Sequence, residues 1–174
     1  MVRILLERLY LLSAALGALL FVAIELLILY QLGGQFLPYI PRSADEFAGY
    51  CMAASAFLAL AYTFHSNEHI RVTFLVDRLN PISKRLATKT AVSLSLILSG
   101  YLAWHFIKLT YLSWQLNDLS NGLIALPLWI PQSAMATGAT IFFIAVLQRT
   151  VDVWRGAAIE TITRSSEELA HVDG

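Results

Sequence analysis

Charge is what this sequence has least of. Only 14% of its 174 residues are Asp, Glu, Lys or Arg, against about 25% in an ordinary soluble domain. Twelve basic residues offset twelve acidic ones; with no cationic surplus, nucleic acid is not among the expected partners. Cysteine is scarcer still. The single Cys51 stands inside an apolar run, so it has no internal disulfide partner and reads as a small packing residue. Four scattered histidines and one cysteine give no structural zinc spacing. A phosphate-binding glycine loop, a Ser-His-Asp arrangement and a metal-ligand cluster are all missing, and nothing in the sequence looks like a catalytic site. Internal repeats and low-complexity segments are missing too.

What is abundant is apolar sequence, at 57% of the chain. That balance is the balance of an integral membrane protein, and residues 1–174 read as a single membrane domain. Four spans are expected, at about 9–30, 46–64, 90–114 and 128–147, so the fold class is all-α with four transmembrane helices. Leu9 to Tyr30 gives about 22 residues, enough at ~1.5 Å per residue to cross a ~30 Å hydrocarbon core. The run exceeds the 7–15-residue apolar part typical of a signal peptide, so a retained helix is expected. Gly33-Gly34, Pro38 and Pro41 then break the chain into a loop. Ser43 can cap the second helix, with Glu46 completing a capping box. Gly49, Ala53 and Ala61 recur at four-residue spacing, interrupted by Phe57, a pattern that lets helices approach closely in lipid.

The segment His69 to Leu79 is too polar to span. Val72, Leu75, Val76 and Leu79 share one helical face, flanked by Arg71 and Arg78. This predicts a short amphipathic helix in the membrane interface between spans 2 and 3, ended by Asn80-Pro81. Ser83-Lys84-Arg85 and Lys89 read as a cationic approach to the third span. That span is only moderately apolar, with Ser93, Ser95, Ser99, His105 and Lys108. Asn117 to Gly122 is a polar loop. Pro127 and Pro131 mark the first turn of the fourth span, and Ala134 and Gly138 form another small-residue pair. The tail, about 155–174, is polar; Ser165-Ser166-Glu167-Glu168 caps a last short helix or belongs to a disordered end.

Basic residues set the orientation. With the N-terminus, the loop between spans 2 and 3 and the C-terminus on one side, that side holds Arg3, Arg8, Arg71, Arg78, Lys84, Arg85, Lys89, Arg149, Arg155 and Arg164. The other side holds Arg42 and Lys108. Ten against two predicts both termini in the cytoplasm (N-in/C-in) of a multi-pass membrane protein. Trp114 and Trp129 then fall at the outer interface and Trp154 at the inner one.

Four groups are candidates for chemistry. Asp45-Glu46 is a carboxylate pair for acid–base work or a helix cap favoured by the dipole. His65 and His69, four apart, share a helical face as metal ligands do, but no third ligand follows at usable spacing. His105 is alone at membrane depth, and bis-histidine haem ligation needs a second. Glu25 lies inside the first span, where acids are costly and face protein or water. It is read as a proton or ion relay, or as a structural pair with Lys108; counted along their helices, the two residues fall at similar depth.

Two blocks carry a family likeness. One is Asp45-Glu46-Phe47-Ala48-Gly49-Tyr50, followed by the apolar run and then Glu68-His69-Ile70-Arg71-Val72. The other is Leu126-Pro127-Leu128-Trp129-Ile130-Pro131. In this order and within a four-span frame, they resemble the small membrane subunit of tripartite ATP-independent periplasmic (TRAP) transporters. The likeness covers roughly Leu9 to Val153. Two positions depart from it: Tyr30-Gln31 stands where a basic residue is expected, and Leu58-Ala59-Leu60-Ala61 has alanine where glycine is common. The resemblance implies a scaffold subunit, not an enzyme, in sodium-gradient-driven, binding-protein-dependent uptake of an organic acid of carboxylate type. The implied partners are a large translocating membrane subunit, a periplasmic substrate-binding protein and membrane lipids. No cofactor is implied in this chain, with sodium expected at the large subunit. Asp45, Glu46, Gly49, His69, Arg71, Pro127 and Trp129 become the candidate subunit-interface residues, beside the candidate intramembrane pair Glu25 and Lys108. The alternative, from another class, is a membrane redox or enzyme subunit using His105 or Glu25.

Overall fold

The computed structural model describes residues 2–34, 44–65, 81–122 and 124–155. Among them the architecture is four helices and no strand: α1 Val2–Gly34, α2 Ala44–His65, α3 Pro81–Leu116 and α4 Trp129–Trp154. All four are long and apolar enough to cross a membrane. The expected interfacial helix, with His69 and Arg71, lies outside the described residues, as do Ser43 and the tail beyond Arg155.

Two helices run longer than the hydropathy predicts. With 33 residues in α1 and 36 in α3, their lengths are ~50 and ~54 Å at ~1.5 Å per residue. Helix α3 begins at Pro81 and carries Ser83-Lys84-Arg85 and Lys89 within it. Proline at the first helical position lacks only an N–H that would be unpaired anyway. The cationic approach is thus the first turns of the helix itself.

The helices alternate in direction, but their spatial order is not their chain order. Helix α1 packs on α2, α2 on α4, and α4 on α3, with slight contact between α1 and α4. Helices α1 and α3 therefore stand at the two ends of the row. Glycine stands at all three joints, against the Phe143 ring at Gly100 between α3 and α4 and against backbone at the other two. A Cβ on Gly17 would stand 3.2 Å from the Ser55 carbonyl oxygen and 3.3 Å from the Ala59 nitrogen, so α1 and α2 meet nearly backbone to backbone. A Cβ on Gly138 would stand 2.6–2.9 Å from the backbone of Phe57 and Leu58, a tighter approach of α4 to α2. Small residues give such access where dispersion drives helix association in lipid. Gly49, expected in this role, has open space around it and is exposed; the close approaches run through Gly17 and Gly138 instead.

The core sits toward one end of the bundle. Tyr10, Ala61, Ile141 and Ala145 are buried together, with Leu6, Leu9, Phe64 and Phe142 against them. Tyr10 donates its hydroxyl to Gln148 Oε1 at 3.0 Å, joining α1 to α4. At the same end the Thr150 hydroxyl donates to the Val146 carbonyl of its own helix at 2.8 Å and lies 3.4 Å from the Val92 carbonyl of α3, and Lys89 Nζ lies 5.0 Å from the Trp154 ring centroid, a cation–π contact. The start of α1 and the end of α4 thus share one end of the bundle. Hydroxyls that look awkward in a span bond backward to their own helix: Ser13 to Tyr10, Ser55 to Met52, Ser99 to Leu96 and Thr140 to Ala136. Bonds of this kind satisfy the hydroxyl without a neighbour.

Candidate functional site

The opposite end is built around the connection between α3 and α4. Helix α3 stops at Leu116, and Asn117 takes φ 50°, the left-handed conformation that asparagine tolerates. The Asn117 amide reaches the Trp114 carbonyl at 3.4 Å and the Asp118 amide reaches Ser113 at 3.1 Å. These two bonds close the helix end in the Schellman pattern.

The chain then folds back on itself. Leu119 and Pro127 form an antiparallel bridge. The bonds lie on either side of it, from the Ser120 amide to the Leu126 carbonyl at 2.8 Å and from the Leu128 amide to Asp118 at 2.9 Å. Pro127, which has no N–H, thus occupies the unbonded position, the one a proline tolerates. It precedes α4 and does not belong to the helix's first turn, as the sequence suggested; Pro131 does. Trp129 opens α4 and is 38% exposed.

Glu46 comes to this loop from the first turn of α2. Its Oε1 accepts the Tyr50 hydroxyl at 2.6 Å, one helical turn on. Ser120, on the loop, lies close to the same carboxylate. The Ser120 hydroxyl is also held within its own loop, donating to the Ile124 carbonyl at 3.2 Å and accepting from the Leu126 amide at 3.4 Å. Beneath the carboxylate is Gly122, where any Cβ would collide with it. Glycine at 122 leaves that space to the carboxylate. The contact between the Glu46 carboxylate and Gly122 joins the α1–α2 hairpin to the α3–α4 hairpin at this end.

The other candidates divide as follows. Asp45 is adjacent but exposed, and Gly49 is exposed one turn further on. Glu25 and Lys108 are not brought together. They stand on α1 and α3, at opposite ends of the row; each is exposed, and neither is ion-paired to any described residue. His105 is exposed on α3, its ring 4.2 Å from that of Tyr101. Among the described residues no three His, Cys, Asp or Glu side chains gather as a metal site would require. Sequence reasoning missed Tyr50, Ser120 and Gly122 as partners of Glu46. The available signal was the Asn121-Gly122 dipeptide, a turn marker.

A family model described as "Tripartite ATP-independent periplasmic transporters, DctQ component" matches residues 24–156. No curated protein matches the chain.

Proposed function

The chain belongs to the tripartite ATP-independent periplasmic transporters, as their DctQ component, and from that premise we propose that it is the fixed scaffold beside a large translocating subunit. The observation that carries this reading is the family match, which runs from within α1 through α4. Membership makes the chain a component of a transporter. In the proposal, a periplasmic binding protein delivers an organic acid, the large subunit moves it and holds the sodium, and this chain supplies anchorage in the inner membrane. Both termini are assigned to the cytoplasm on the basic-residue asymmetry. Helices that overrun a ~30 Å core and carry tryptophans near their ends are suited to holding a fixed position in a bilayer.

The end built around the α3–α4 connection, with Asp45, Glu46, Gly49, Pro127 and Trp129, is then the periplasmic end, and His69 and Arg71 remain proposed contacts for the cytoplasmic side. An exposed tryptophan such as Trp129 suits contact with a neighbouring subunit. The redox or enzyme alternative is disfavoured by the family, which is one of transport components.

Reconstitution tests the reading. Liposomes with an imposed sodium gradient should accumulate organic acid only when this chain, its large subunit and the binding protein are all present. Uptake by this chain alone would overturn the scaffold role.

A further inference from the structure

The least buried span is also the least apolar. Among the four membrane-length helices, α3 has the lowest hydropathy and the smallest buried share, whereas α1, at the other end of the row, has the highest hydropathy. A helix surrounded by lipid should be the most apolar of a set. Helix α1 meets that condition over most of its outward surface, where Leu12, Leu16, Leu19, Val22 and Leu26 are exposed. Helix α3 does not. Tyr101, Trp104, His105, Lys108, Tyr111 and Gln115 recur at helical spacing and are all exposed. The stripe is internally ordered: Tyr101 lies on His105 at 4.2 Å, and Gln115 Nε2 donates to the Tyr111 hydroxyl at 2.8 Å.

An interfacial aromatic belt accounts for only part of it. Tyr111 lies five residues before the helix end at Leu116, ~7.5 Å at ~1.5 Å per residue. His105, Trp104 and Tyr101 lie 11 to 15 residues before it, ~17–22 Å deep by the same rise, near the middle of a ~30 Å core. Trp104 is nonetheless 67% exposed. A tryptophan N–H, an imidazole and an ammonium at or near that depth need acceptors that hydrocarbon does not supply.

We propose that this face of α3 is the surface on which the large membrane subunit docks, presenting carboxylate or carbonyl acceptors opposite His105 and Lys108. The proposal rests on the scaffold reading above and specifies its contact. A second copy of this chain fits less well. A two-fold axis along the membrane normal would set two Lys108 ammoniums at the same depth, facing each other.

The test uses the full chain co-expressed with its large subunit. The photoreactive residue p-benzoylphenylalanine replaces Trp104 in one variant and Leu19, on the outward surface of α1, in another. Co-purification of the unsubstituted chain with the large subunit is the control; its failure would remove the scaffold reading itself. With co-purification intact, illumination should give an adduct with the large subunit from position 104 and none from 19. An adduct from 19 alone, a homodimer adduct from 104, or no protein adduct from 104 would each overturn the assignment. The triple variant Trp104→Leu, His105→Leu, Lys108→Leu should still insert while recovering at least tenfold less large subunit. Recovery at the unsubstituted level would also overturn it.

Discussion

The carboxylate of Glu46 occupies the volume that a side chain at Gly122 would need. The two residues lie on different hairpins, so the contact ties the halves of the molecule where the α3–α4 loop turns. Either partner can break it. In Gly122→Ala the carboxylate must swing away and give up the Tyr50 hydroxyl. In Glu46→Ala the loop loses the same contact from the other side. Hydrogen exchange at the Ser120 and Leu128 amides, both bonded inside the loop, should quicken in each variant. The double variant should be no faster than the quicker single one. Independent, multiplying effects would show that the residues do not act through each other.

Glycine at 138 should be far less replaceable than glycine at 49. The Cβ in Gly138→Ala would press on the backbone of Phe57 and Leu58, which cannot rotate away as a side chain can. Overpacking of this kind costs about 1–3 kcal/mol. Gly49→Ala enters open space and should stay within about 0.5 kcal/mol of the parent. Thermal unfolding of the purified chain in mild detergent separates the two; equal effects would contradict the packing described.

Tyr10→Phe removes the hydroxyl that reaches Gln148 and leaves the ring in its fully buried place. Hydrogen bonds between membrane helices average about 0.6 kcal/mol, with a maximum near 1.7. The melting temperature in detergent should fall by a loss in that range. A stabilised variant would show that the bond does not form.

Glu25→Gln and Lys108→Met should have additive effects on the stability of the isolated chain, within about 0.5 kcal/mol. Their helices do not pack on each other. A coupling energy larger than that would require α1 and α3 to be neighbours.

Much of the architecture was legible because hydropathy reports burial in lipid directly. The four apolar runs are the four helices. Where each helix ends was less legible, since backbone hydrogen bonding continues past the last apolar residue; Pro81 begins α3 well before its apolar part. The order of the helices was not legible at all. A helix apolar on every side carries no periodic mark of its neighbour, so similar depth made Glu25 and Lys108 look like a pair when only adjacency makes one. Of the candidate site, Glu46 was visible from its place in the first turn of α2. Its partners Ser120 and Gly122, more than seventy residues away, left only a turn signal. The expected roles of His69 and Arg71 fall outside the described residues.

The row order has a consequence for how the molecule is made. The joints α1–α2 and α3–α4 link helices consecutive in the chain, and each pair can close as soon as its second helix has left the ribosome. The seat of Gly138 on Phe57 and Leu58 cannot form until the last helix has been synthesised. Biogenesis is thereby divided into two hairpins inserted in turn and then docked side by side. Expressed as separate pieces, the two hairpins should still dock through the seat of Gly138 on Phe57 and Leu58.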